Sequence, residues 1–240
     1  MYPPERVRGP IMTAGAETSS QLPPARSVLA VCAHPDDESF GLGGALSAFA
    51  TSGSVTAVLC FTRGESSTLG ADLAELDRVR AVELRDAAAE LGIGYVELLD
   101  YPDGELARQR LDVLALQVFQ VADRVSADLL LVFDEGGVTG PPDHQRATES
   151  AVACAELSDL PVLAWALDEA VTSSLNRQLG TGFVGRSREQ LDFDVHVDRA
   201  RQSRAIACHT SQSTDNPVLW QRLWLQGDRE AFRWLRRPKH

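Results

Sequence analysis

The chain has 240 residues, 44% of them hydrophobic and 24% charged, which suits a folded protein and excludes wholesale disorder. Its 34 acidic against 23 basic residues give a net charge of -11, which argues against a surface for nucleic acid or an anionic membrane. No apolar run approaches the roughly 20 residues of a membrane-spanning helix. The N-terminus lacks the basic-then-apolar pattern of a secretion signal, so a cytoplasmic protein is expected.

Residues 1–26 hold five of the twelve prolines and show no sustained apolar periodicity, which predicts a mobile arm ahead of one domain spanning 27–240. Nearly unbroken apolar runs at 28–33, 55–62, 95–99, 129–133 and 162–167 predict strands covered on both faces. Between them, apolar residues near 3.6 spacing predict helices over 72–91, 106–125 and 143–157, the first capped by Gly92. The alternation predicts an α/β fold, a doubly wound and mostly parallel sheet with helices on both faces. Residues 193–197 alternate like an edge strand, which leaves His196 facing solvent. Residues 217–235 read as helical, with Trp220, Trp224 and Trp234 packing into the core. Cys32, Cys60, Cys154 and Cys208 form no CxxC pair, and the first two sit in apolar runs as small buried hydrophobes.

Sheets of this kind bind ligands at the carboxyl ends of their strands. The first strand runs directly into His34-Pro35-Asp36-Asp37-Glu38. A helix start explains Glu38, but adjacent aspartates beside a His repel each other unless a cation or proton intervenes. The second strand ends in Thr62-Arg63-Gly64-Glu65, the third in Asp100-Tyr101-Pro102-Asp103-Gly104-Glu105, and the fourth in Asp134-Glu135. The loop after the fourth reaches Pro141-Pro142-Asp143-His144. Nine carboxylates (Asp36, Asp37, Glu38, Glu65, Asp103, Glu105, Asp134, Glu135 and Asp143) are thereby predicted to converge on one rim. A His and a carboxylate from one loop plus a His from another fit a three-ligand catalytic zinc site, and the thiolate-free set also admits Fe2+ or another divalent ion.

With AHPDDE after the first strand, TRGE after the second, YPDG after the third and PDH after the fourth, the chain resembles the PIG-L/LmbE-type N-deacetylases. His209-Thr210-Ser211-Gln212 is similar to a family HxSQ segment. The resemblance implies a Rossmann-like fold and zinc-dependent removal of acetyl from an N-acetylglucosamine-type amino sugar or conjugate. It implies His34, Asp37 and His144 as metal ligands and Asp36 as general base. Arg63, Glu65 and Asp103 match the substrate side, and Asp143 and Glu38 stand behind the first ligands. In one departure, Pro141 occupies the place where members commonly carry a second His, and a prolyl ring can neither stabilise an oxyanion nor protonate a leaving group. His209 is the first candidate to substitute, the alternative being Asp36 acting as base and then acid. A small amino sugar is the expected partner, a larger acyl group or a metal-binding but catalytically weak homologue the alternatives. The oligomeric state stays open, a homo-oligomer included.

Overall fold

Five parallel strands form where the sequence runs nearly unbroken in apolarity, with Glu97 and Asp100 the interruptions in the third, an edge strand. The computed structural model describes residues 21–70, 72–136 and 142–239. In chain order the elements are β1 (Ser27–Cys32), α1 (Asp37–Phe40), α2 (Gly43–Thr51), β2 (Val55–Thr62), α3 (Leu76–Leu91), β3 (Tyr95–Tyr101), α4 (Leu111–Arg124), β4 (Leu129–Phe133), α5 (Pro142–Ser158) and β5 (Val162–Ala166). Then follow α6 (Glu169–Leu179), β6 (Phe193–His196), α7 (Ala200–Cys208), α8 (Thr210–Ser213), α9 (Pro217–Gln226) and β7 (Arg229–Arg236). The sheet order is β3-β2-β1-β4-β5-β7-β6. The first five strands run parallel, while β7 is antiparallel to both β5 and β6.

Side chains alternate across the pleat, and two cores result. Val28, Ala30 and Cys32 of β1 face the core that α2 and Leu84 of α3 cover. Leu29 and Val31 face the core covered by α4 and α5. Cys32, Cys60 and Cys154 are buried within these layers, whereas Cys208 is partly exposed. The chain winds one way from β1 to β3 and the other way from β4 to β5, so β1 and β4 flank a topological switch point, where such sheets open a crevice.

Three expectations need correction. The span 217–235 is not one helix: Gly227, at φ 59°, ends α9, and the next residues form β7. Trp234 therefore lies on a strand, and Trp220 and Trp224, four residues apart on the outer face of α9, are 48% and 75% exposed rather than packed inside. The span 106–125 splits into a 3-10 turn at Leu106–Arg108 and α4. The expected arm falls mostly outside the described residues. Its last part is held, with Leu22 and Ala25 on the core and Arg26 paired to Asp128. Residues 193–197 lie at a sheet edge with His196 exposed, as its alternation predicts, and His240 and Pro141 lie outside the described residues. No helix among the described residues is long and apolar enough to cross a membrane.

Candidate metal centre

The turn after β1 is built on its own carboxylates. Asp37, at the start of α1, accepts the backbone N–H groups of Ala33 and His34 on Oδ2, at 2.9 and 3.0 Å. Its Oδ1 lies 2.9 Å from His144 Nε2, and His34 Nδ1 lies 3.2 Å from the same nitrogen. His144 comes from the first turn of α5, across the switch point, with Phe133 packed edge-on to its ring at 5.3 Å. His34, Asp37 and His144 thus each offer a ligand atom within 4.8 Å of the others.

A tetrahedral ion with bonds of about 2.0–2.2 Å requires ligand atoms roughly 3.3–3.6 Å apart. The separations of 2.9 Å from His144 Nε2 to Asp37 Oδ1 and 3.2 Å from His144 Nε2 to His34 Nδ1 fall within a few tenths of an ångström below that range, and His34 Nδ1 stands 4.0 Å from the other Asp37 oxygen, Oδ2. Two imidazole nitrogens facing each other beside a buried carboxylate, with no thiolate, fit a divalent metal. His34 turns its other nitrogen, Nε2, to Asp103 Oδ1 at 3.0 Å, with Asp143 Oδ2 at 3.6 Å. Such outer carboxylates fix the tautomer and orientation of a ligating His. Asp143 in turn accepts the N–H groups of Gly104 and Leu106, and Asp103 that of Ser66.

Charge repulsion in this cluster is offset by protons and buried cations. Burial disfavours the charged form of His34, but Asp103, Asp143 and Asp37 outweigh it and raise its pKa to about 10. Burial likewise opposes ionisation of Asp37, yet His144 and His34 bring it down to about 2. Asp103 and Asp143 are held below the carboxylate range because their bonds to His34 outweigh their burial. Asp36 behaves differently. Burial raises it to about 6 despite the nearby Arg80 cation, with Asp37 pushing the same way.

The backbone of Asp36 is in an unusual region, at φ 120°, a conformation that costs of order 1–3 kcal/mol outside glycine. Two contacts hold it. Its N–H donates to Glu38 Oε2 at 2.9 Å, and its Oδ2 accepts from Arg80 Nη2, also at 2.9 Å. Arg80, on α3 and 3% exposed, also donates to the carbonyls of Gly64 and Pro35. It was not among the residues anticipated from sequence. A cation four residues from both Leu76 and Leu84, on the stripe that α3 buries, was the available signal.

These groups open on a cavity of about 660 Å³, lined by His34, Asp36, Asp37, Arg80, Asp103, Asp143 and His144 among others. The rest of the anticipated rim is elsewhere. His209 is fully buried and does not line the cavity: its Nε2 lies 2.7 Å from Glu38 Oε1. Glu38 is itself fully buried, under the turn. Arg63 lines a separate small cleft with Arg85 and Glu97. Glu65 is exposed and braces the N–H of Asp103 at 3.0 Å. Asp134 is taken up by Arg186 and Arg233 at 2.7 and 2.9 Å.

A model of the PIG-L family, GlcNAc-PI de-N-acetylase, matches residues 29–155. The chain belongs to this family. Residues 29–155 of this PIG-L protein run from β1 through most of α5 and so include His34, Asp36, Asp37 and His144. It is 33% identical over 182 residues to a 1D-myo-inositol 2-acetamido-2-deoxy-alpha-D-glucopyranoside deacetylase of Catenulispora acidiphila, an alignment covering 63% of this chain and 56% of the relative. The chain thus spans little more than half the length of that relative. Among solved structures it resembles the N,N'-diacetylchitobiose deacetylase of Pyrococcus horikoshii, with a TM-score of 0.66, 23% identity and coverage of 88% of this chain and 84% of that one. It equally resembles a 4-carboxy-2-hydroxymuconate hydratase of Pseudomonas putida, with a TM-score of 0.66, 19% identity and coverage of 90% and 98%. At these identities the likenesses establish the fold, and one fold here accompanies two reactions.

Proposed function

We propose that this PIG-L protein is a metal-dependent hydrolase that removes the acyl group, acetyl in the simplest case, from an N-acylated amino sugar or its conjugate. The observation that carries the reading is Asp36: a strained, half-buried carboxylate with a pKa of about 6, anchored by Arg80 beside the His34, Asp37 and His144 set. A divalent ion held by His34, Asp37 and His144, zinc or another such as Fe2+, supplies polarisation of the amide carbonyl and acidification of water. The ionised Asp36 takes a proton from the attacking water. A carboxyl near 6 then returns it to the departing amine, so the same residue serves both steps without a second His. Asp103 and Asp143 hold His34 in one orientation throughout. Asp103, Ser66, Ser67 and Gln212 offer acceptors and donors to sugar hydroxyls.

Metal content and acetate release from N-acetylglucosamine and its α-glycosides, measured together, test the reading. Wild type should carry near one equivalent of metal and release acetate, Asp36→Asn should keep the metal and lose turnover, and His34→Ala should lose both. Equal turnover in wild type and Asp36→Asn overturns it.

A further inference from the structure

The cavity lining divides by chemistry. One share is polar and comes from the loops after β2 and β3, with Arg80 and Gln212. The other is built from Phe40, Phe133, Phe183, Val218 and Leu219, which come from α1, the end of β4, the segment after α6, and α9. This apolar share begins at the metal centre itself, since Phe133 meets the His144 ring edge-on.

The wall is preformed. A Cβ on Gly41 would lie 2.1 Å from the Phe133 ring, so that ring is packed flush against the backbone after α1. Asn176 pins residues 181–183 at three points, accepting from Phe183 N–H and Thr181 Oγ1 and donating to the Phe183 carbonyl. Asn216 caps α9 through the N–H of Leu219 at 2.9 Å. The cation in this region, Arg222, is tied into the wall, stacked over Trp165 at 5.2 Å and donating to the Phe40 carbonyl and Gln226.

Resting on the hydrolase reading above, we infer that the apolar share is an acyl subsite and that the preferred substrates carry an N-acyl chain longer than acetyl. An N-acyl amino sugar extends two arms from its amide. The sugar arm is studded with hydroxyls that need the polar share. The acyl arm is the one whose burial the apolar share rewards, and a single methyl group leaves the half-buried Phe40 and Val218 uncovered beside the already buried Phe133, Phe183 and Leu219. Each further methylene buried there adds about 0.8 kcal/mol, close to fourfold in binding, until the wall is filled.

The test is kcat/KM of the metal-loaded protein on glucosamine bearing acetyl, butanoyl, hexanoyl or octanoyl groups. A parallel series of N-acetylglucosamine glycosides runs from methyl to octyl. We expect at least a tenfold rise from acetyl to hexanoyl and a smaller response to glycoside length. Val218→Asp, at a half-buried position, should compress the hexanoyl-to-acetyl ratio. Phe183→Ala should do the same should the charged variant fail to fold. Turnover of acetyl with a flat or falling acyl series, or a rise confined to the glycosides, overturns the subsite alone. Release from no amide at all overturns the hydrolase reading and the subsite with it.

Discussion

Replacing His209 with alanine separates a residue that holds the site up from one that takes part in chemistry. His209 and Glu38 are both fully buried and joined at 2.7 Å, so removing the imidazole leaves a core carboxylate with only the Asp36 N–H and the Ser39 hydroxyl to satisfy it. Breaking such a pair costs roughly 3–5 kcal/mol. His209 Nδ1 has no hydrogen-bond partner among the described residues, which places the expectation at the lower end, about 3 kcal/mol. At about 2 °C per kcal/mol for a chain of this size, the thermal midpoint should fall by at least roughly 6 °C. Circular dichroism melts at pH 6 measure it, with Asp112→Ala, which breaks the exposed pair to Arg110, as the unaffected comparison. Burial alone would lower the His209 pKa, but Glu38 outweighs it and the net shift is upward. A raised folded-state pKa means that this stabilisation is complete below the ordinary value near 6.5. It fades as pH climbs through the raised one, so the gap between wild type and variant should narrow on the alkaline side. A His209→Ala protein that melts with wild type yet has lost turnover would refute the reasoning and return His209 to the chemistry.

Three more outcomes follow from the same geometry. Because Asp36 must be ionised to accept a proton, kcat/KM should fall on the acid side, at or below about 6 because a dication on the neighbouring Asp37 favours the ionised form, and Asp36→Asn should cost at least about a hundredfold in deacylation assays. Arg80→Met removes the cation that lowers the Asp36 pKa, so the acid limb of the pH–rate profile should move to higher pH; an unmoved limb refutes the role. Gly64→Ala faces both a left-handed backbone and a Cβ 2.0 Å from Arg80 Nη1, whereas Gly53→Ala, at φ 91°, meets no atom within 4 Å. Paired melts should show Gly64→Ala losing clearly more than the roughly 1–2 kcal/mol that the backbone alone costs.

The parallel half of the fold was legible because four of its five strands are buried on both sides, where little but apolar side chains fits. The runs at 55–62 and 129–133 match β2 and β4 at both ends. Of the antiparallel addition, the edge strand β6 was legible in its alternation and β7 was not. In β7, four charged residues interrupt Ala231, Phe232, Trp234 and Leu235 without a strict alternation, so only the break at Gly227 marked the change. At the site, the strand-end rule brought out His34, Asp36, Asp37, Asp103, Asp143 and His144, all of which line one cavity. Arg63 and Glu65, also at a strand end, do not line that cavity, because proximity to a strand end does not say which way a side chain leaves the backbone; His209, singled out by its HxSQ segment, lies buried behind Glu38. The apolar wall left no local pattern, since its five residues come from four separate stretches of chain.

The place of β7 between β5 and β6 has a consequence for how the molecule is assembled. Residues 27–166 contain the whole parallel array and every polar side chain of the metal centre, and sequential strands there need only local crossovers. The strand that joins β5 to β6 is made some sixty residues later than β5. Until it arrives, β5 presents an open edge, and the carboxylate of Glu230 cannot reach its partners, the buried Trp165 and the half-buried Arg199. A nascent chain can therefore complete its metal ligands while its sheet is still unfinished, and that interval is when it most needs protection from pairing with a neighbour. Truncation before residue 229 should leave the chain in that state permanently, with the ligands in place and an unpaired edge beside them.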